Sequence, residues 1–266
     1  MMVANIHEAD AATVLATAID KVGDDPLIVA PTREVVDAAA AVADREGVPT
    51  ARVLAAAEPF RAARRDFFCA TRLADLAADP DAIRTRQSSV DDAVVVGSQQ
   101  VFALVSCGDR AGAVSAVGDD ADRLREGYES TFADADPVTL RTPGRQTLLE
   151  RASEELGEGF AADFEAAVDA ADEGEGGDLT DGVSVLVLVG ATHGRQLYRL
   201  GSWAEDADLA SKATVSRAKQ RLEDAGLIET EKVPADVGRP RQRLRAAGES
   251  FPDGEALYDA VAAIDD

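Results

Sequence analysis

The chain has 266 residues, enough for one large domain or two modest ones, and 46% of them are hydrophobic, so a sizeable core is available and wholesale disorder is excluded. Fifty Asp/Glu against 27 Lys/Arg give a formal net charge of −23. No apolar run reaches the roughly 18 residues of a membrane span, the opening residues lack the basic start and apolar stretch of a secretory signal, and Cys69 and Cys107 are too few for a disulfide framework or a Cys-based metal site.

In chain order, Ile6–Val22 carries apolar residues at helical spacing and predicts a first helix. Pro26-Leu27-Ile28-Val29-Ala30 reads as a short buried strand that Pro31-Thr32 breaks. Thr32 is placed to N-cap a helix running through Glu46, with Val35, Val36, Ala39 and Val42 on its inner face. A second strand follows at Ala51–Leu54, then a helix from near Pro59 that carries Phe60, Phe67 and Phe68. Strands are predicted at Ile83–Arg86, Ala93–Val96, Val101–Ser106 and Ala113–Val117, with Gly97-Ser98 and Gly108-Asp109 as turns between the last three. Asp119 opens a helix to about Asp134. The order is βαβ at the start and antiparallel later, so residues 1–140 predict a mixed α/β sheet domain and the whole chain is α+β.

Pro137 and Pro143 mark a boundary, and Thr142-Pro143 reads as an N-cap and first helical residue for a helix to Leu156. A second connector helix, Phe160–Ala171, precedes the acidic, glycine-rich stretch Asp172–Asp178, read as a flexible linker that closes a connector over residues 141–179. Residues 180–247 then follow a winged helix-turn-helix order. The first helix is Gly182–Ala191, whose β-branched core passes equally for a strand until its context is considered. The second is Arg195–Glu205, and Asp206–Leu209 forms the turn. Ser211 caps a third helix in which Val215, Ala218, Leu222 and Ala225 share the inner stripe and Gly226 ends it. Two strand-like runs, Leu227–Val233 and Pro240–Leu244, flank a tip at Pro234–Arg239. In the tail, residues 248–266, Leu257, Val261 and Ile264 lie at helical spacing on a segment too short to stand alone, which must dock on the winged helix or on a partner chain.

Charge gives this last module its meaning. Residues 211–245 hold nine Lys/Arg against five Asp/Glu and three of the four lysines, leaving −27 for the rest of the chain. A basic island on an acidic chain is the footprint of a nucleic-acid contact. Along the third helix the basic residues come first and Glu223 and Asp224 last, the reverse of what the helix dipole prefers, and the order suits a recognition helix whose first turns enter the major groove. The candidate DNA-contacting residues are Ser211, Lys212, Thr214, Ser216, Arg217, Lys219, Gln220 and Arg221 on the helix, with Arg239 and Arg241 on the wing. Arg217 is the choice for a guanine and Gln220 for an adenine. Period two puts Arg239, Arg241, Arg243 and Arg245 on one sheet face. Arg243 and Arg245 either meet phosphate or pair with Glu229 and Glu231 across the hairpin. A winged helix that docks only other proteins is the alternative.

The run from Leu197 to Arg245 strongly resembles the C-terminal module of the haloarchaeal TbsP family of transcriptional regulators, and the likeness extends over about residues 5–247. The resemblance implies a sequence-specific regulator of transcription tied to central carbon metabolism. Residues 1–140 also resemble, more distantly, the phospholipase D-like sensor domain of archaeal sugar-responsive regulators. That chemistry needs paired His and Lys motifs, and this segment holds only His7 and Lys21, so a degenerate sensor or a dimerisation domain is expected and an enzyme is not. With 23 of its basic residues Arg and few Lys, the composition resembles that of proteins from salt-loving archaea. In molar salt the Debye length falls to about 3 Å, so binding would rest on short-range contacts and depend weakly on salt.

Other residues invite functional readings and carry less. His7 and His193 are distant from each other and make no metal site, Trp203 is expected in packing, and Cys69 and Cys107 in the core of a cytoplasmic protein. Arg61, Arg64 and Arg65 form a basic cluster that is either a solvated helix face or an anionic-metabolite site. Ser106-Cys107-Gly108-Asp109 is expected as a hairpin turn, not a nucleophile. The partners expected are double-stranded DNA, a second copy of the chain in a homodimer, and a small-molecule effector such as a sugar phosphate, with no cofactor and no membrane.

Overall fold

A computed structural model describes residues 5–8, 10–43, 45, 47–87, 90–107, 110–173, 177–234, 241–248 and 251–264. These fall into two compact units, one of residues 1–64 and 72–141, the other of residues 65–71 and 142–266. The architecture is α+β, as the element order predicts.

The first unit is built on an eight-stranded mixed sheet of order β1-β7-β6-β5-β2-β3-β4-β8. Its strands are β1 (Asn5–Glu8), β2 (Leu27–Ala30), β3 (Arg52–Ala56), β4 (Ile83–Arg86), β5 (Val94–Val96), β6 (Val101–Cys107), β7 (Arg110–Ala116) and β8 (Asp136–Pro137). The centre, β2-β3-β4, is parallel, and every other pairing is antiparallel. Helices α1 (Ala11–Val22), α2 (Arg33–Ala43), α3 (Ala57–Ala63) and α5 (Asp119–Ala133) complete it. Alternation sends Leu27, Val29 and Leu54 to one face, where they pack with Phe132 and Ala121 of α5. Arg52 and Arg84 flank the Phe132 ring, 4.9 and 5.2 Å from its centroid, and Arg52 is held by Glu129 at 2.6 Å and Asp25 at 2.9 Å.

Two expectations fail in residues 1–141 and one strand is unforeseen. Ile6–Glu8 is strand, not helix, because it pairs with β7, and the helix starts only where Asp10 Oδ1 accepts the Thr13 amide at 2.8 Å. The helix expected from Pro59 is two, α3 and α4 (Phe67–Leu76). Asp66 Oδ1 accepts the amides of Phe68 at 3.0 Å and Cys69 at 3.1 Å, and this cap restarts the chain. The two-residue β8 has no hydrophobic period to announce it.

The second unit packs α6 (Arg145–Leu156), α7 (Glu158–Glu173), α9 (Leu197–Asp206), α10 (Lys212–Asp224), α11 (Gly254–Ala262) and the hairpin β9 (Ile228–Val233)/β10 (Arg241–Ala246) around α8 (Leu179–Thr192). Val183 and Val185 to Val189 on α8 are entirely buried, which explains an apolar run without helical period: a helix covered on all sides needs no polar face. Asp178 and Asp181 accept each other's amides at 3.2 and 2.9 Å, a reciprocal cap that starts α8. The stretch read as a linker therefore begins inside α7 and ends in a cap, with 174–176 outside the described residues. Gly144, not Thr142, is the N-cap of α6. The tail helix α11 docks on α7 and α8.

Candidate nucleic-acid interface

The helix-turn-helix comprises α9, the turn Ala207–Ala210 and α10. Ser211 caps α10 as its sequence position predicts, its Oγ accepting the Thr214 amide at 3.2 Å and lying 3.0 Å from Thr214 Oγ1. Val215, Ala218 and Leu222 are buried against the core, while Ala225, expected with them, is exposed because the helix has ended and Gly226 turns away at φ 74°. Ala213, Ser216, Arg217 and Gln220 all face solvent.

The candidate cations do not share one environment. Arg217 is exposed, and among the described residues no acidic side chain pairs with it. Lys212 Nζ lies 2.6 Å from Glu205 Oε2 of α9 and 5.9 Å from the centre of the Tyr198 ring, and the Glu205 hydrogen bond raises its pKa. Lys219 pairs with Glu223 at 2.5 Å. Glu223 in turn accepts the Thr230 hydroxyl of β9; burial opposes its charge, but Lys219 and Thr230 outweigh burial and hold the carboxyl below its ordinary range. The acidic end of α10, which completes the charge order expected of a recognition helix, thus also has a structural task in seating the wing. Gln220 donates to Asp224 Oδ1 at 2.7 Å. Arg221 departs most from expectation: it points inward, its Nη1 donating to Asp181 Oδ1 and to the buried Ser184 Oγ, each at 3.0 Å, with 16% of its side chain exposed. It lies one helical turn beyond Arg217, at the flank of the outward row, where its partly buried guanidinium ties α10 to α8.

The wing is an antiparallel hairpin with Arg243 opposite Glu231 and Arg245 opposite Glu229. The arginines and glutamates do share a face, and Arg245 Nε bonds diagonally to Glu231 Oε2 at 2.7 Å, which lowers the Glu231 pKa. Arg241 is exposed and donates to Gln196 Oε1 at 3.2 Å. Arg239 and the tip lie outside the described residues. Residues just before α9 extend the hairpin: Leu244 N donates to the Arg195 carbonyl at 2.8 Å, and Gln196 bridges to Arg243.

Sequence reasoning missed a cleft of about 760 Å³ where α9, the first turns of α10 and the wing meet. Tyr198, Lys212, Ser216, Lys232, Arg241 and Gln242 line it. Lys232 was visible within the basic island, but its strand parity puts it on the inner face with Gln242, opposite which it pairs. Tyr198 carried no signal; it is 63% exposed.

Of the Arg61, Arg64 and Arg65 cluster, all three are exposed. Trp203 is buried, His193 Nε2 lies 2.8 Å from Asp163 Oδ2, and Arg61 pairs with Glu58 at 2.7 Å and Gln87 at 3.3 Å. Cys69 is buried, whereas the side chains of His7 and Cys107 are outside the described set. Among the described residues no group of His, Cys, Asp and Glu is arranged to hold a metal, and no helix is long and apolar enough to cross a membrane.

Comparison with curated proteins finds no match. Two family models together span almost the whole chain: the N-terminal domain of TbsP-like transcriptional regulators matches residues 3–143, and the C-terminal helix-turn-helix domain of TbsP-like transcriptional regulators matches residues 144–262. With a helix-turn-helix of this geometry and both halves matched in order, the chain belongs to the TbsP-like family of transcriptional regulators.

Proposed function

We propose that the chain is a sequence-specific regulator that binds double-stranded DNA through residues 180–247, with the exposed face of α10 in the major groove. The observation that carries this reading is the outward row Ala213, Ser216, Arg217 and Gln220 on a Ser211-capped helix, with Arg217 unopposed by any described carboxylate. Small residues on either side of an arginine let a helix approach base edges, and Arg is suited to the paired acceptors of guanine. Lys212, Thr214 and Arg241 are assigned to the borders of that surface, with Arg239 as a further candidate of the wing; Lys219, 13% exposed and paired with Glu223, is assigned to packing. Arg221 is assigned to packing.

On the same reading the protein acts as a homodimer in the cytoplasm of a haloarchaeon, two modules reading half-sites about one helical turn apart. Its target genes belong to central carbon metabolism, by the family likeness. Residues 1–140 serve as a dimerisation domain or as a sensor for a sugar-phosphate effector, joined through residues 141–179 to the DNA-binding module, with residues 248–266 as a tail. The role is regulation, not catalysis.

The test is fluorescence binding of the full chain to its own promoter DNA and to a scrambled duplex. Wild type should prefer the promoter, and Arg217→Ala should lose that preference. If Arg217→Ala binds both duplexes as wild type does, the recognition-helix assignment is wrong. If wild type binds neither, the module docks protein, an outcome that the internal pairing of Lys212, Lys219 and Arg221 makes the one to check first.

A further inference from the structure

The cleft beside α10 has three properties that the recognition surface lacks. Its cations arrive from three separate elements: Lys212 from α10, Lys232 from β9 and Arg241 from β10. Among the described residues no carboxylate lines it, although Asp and Glu outnumber Lys and Arg by 50 to 27 in the chain. Its wall carries Tyr198, 63% exposed, while the other exposed large apolar side chains among the described residues, Val105, Val117 and Leu124, belong to the first unit.

Its geometry also limits what fits. A Cβ added to Gly201 would lie 3.3 Å from Lys212 Cγ, so the glycine keeps the cleft open beneath the lysine stem. A helix about 10–12 Å across fills a major groove about 12 Å wide, so the sugar–phosphate strands run along both of its flanks. The cleft occupies one such flank, between α10 and the wing. Ser216 marks its border with the outward row, and in such a docking the group that meets the flank is a backbone phosphate. Phosphate contacts of this kind fix register and carry no sequence information.

We propose that this cleft seats a backbone phosphate of the duplex, encircled by Lys212, Lys232 and Arg241, with the Tyr198 hydroxyl donating to a non-bridging oxygen. The inference rests on the DNA-binding reading above. It assigns Glu205 the part of a resident counter-charge: in the free protein it holds Lys212 at 2.6 Å, and DNA takes its place. Gln196, which accepts from Arg241 at 3.2 Å, holds the wing arginine at the rim in the same way.

The test is fluorescence anisotropy of the full chain with a selected high-affinity duplex and its scrambled counterpart, across a KCl series. Tyr198→Phe should weaken both duplexes alike, by about tenfold for one hydrogen bond to a charged acceptor. Lys232→Gln and Arg241→Gln should each weaken both duplexes and flatten the logarithmic salt slope by about 0.9. Glu205→Gln should tighten both. Arg217→Ala, in the same assay, should abolish the preference between duplexes. Thermal midpoints unchanged by the cleft substitutions confirm that folding is not the cause. If these four variants keep wild-type affinity and slope while Arg217→Ala loses its preference, the cleft proposal is overturned and the DNA-binding reading stands. If wild type binds neither duplex, both fall.

Discussion

Arg221→Ala separates packing from DNA contact at the one residue where sequence and structure assign opposite roles. The substitution removes two 3.0 Å hydrogen bonds, to Asp181 and to Ser184, at a site where Arg221 and Asp181 are only 16% and 23% exposed. A hydrogen bond to a charged group contributes about 1.5–3 kcal/mol, and Asp181 loses its cation in a partly desolvated place. A loss of about 3 kcal/mol follows, which for a unit of this size lowers the melting temperature by about 10 °C. Circular dichroism on heating measures the first quantity. DNA titration well below the midpoint, over a salt series, measures the second, and its slope should not change. An unchanged midpoint with a slope shallower by about 0.9 would refute the packing assignment and return Arg221 to the DNA surface.

Three further outcomes follow from the packing and the titrating groups. Gly254→Ala should cost about 2 kcal/mol or more in denaturant unfolding, because the added Cβ lies 2.2 Å from the Ala166 carbonyl carbon and a backbone atom cannot step aside; an unchanged midpoint would mean that α11 is not seated on α7. Glu223 has its carboxyl held below the ordinary value of 4.5, so the stability it confers is complete above about that pH and is lost as the pH falls through its folded pKa; wild type and Glu223→Gln should therefore differ above that pH and converge below it in acid unfolding curves. Tyr128 is pushed up to about 12 by burial and its hydrogen bond to Asp92, so one of the three tyrosines should resist ionisation in ultraviolet titration well beyond pH 10, the linked stability should decline as the pH rises through its folded pKa, and Tyr128→Phe should remove that late step.

What sequence disclosed was whatever has a local cause. The Ser211 cap, the Gly226 stop, the alternation that puts Arg243 and Arg245 on the side of Glu229 and Glu231, and the burial of Val215, Ala218 and Leu222 all follow from neighbours a few residues apart. What it hid was set by distant segments. Ile6–Glu8 has an apolar period that fits a helix, and only β7, more than a hundred residues on, makes it a strand. The split between α3 and α4 depends on Asp66, whose second carboxyl oxygen accepts the Gly177 amide at 3.2 Å. Arg221 looks like its basic neighbours in the sequence and is distinguished from them only by Asp181, forty positions earlier, meeting it across α8. Tyr198 acquires its place from the wing, which sequence cannot bring beside α9.

The same distant pairings bear on the proposal that this acidic chain holds an acidic polymer. Counting charges over 211–245 gives a surplus of cations, but four of those cations are already opposed: Lys212 by Glu205, Lys219 by Glu223, Arg221 by Asp181 and Arg245 by Glu231. The described cations left to release counterions from DNA are few, Arg217 and Lys232 first among them, so the salt slope should be shallow whatever the affinity. A shallow slope suits the proposed haloarchaeal setting, since screening in molar salt removes long-range attraction and leaves contacts made within about 3 Å. Internal ion pairing, which at first weakens the case for a nucleic-acid surface, therefore fits the proposed recognition of DNA by close fit: part of the basic island builds the reading head, and the rest is left to touch the duplex.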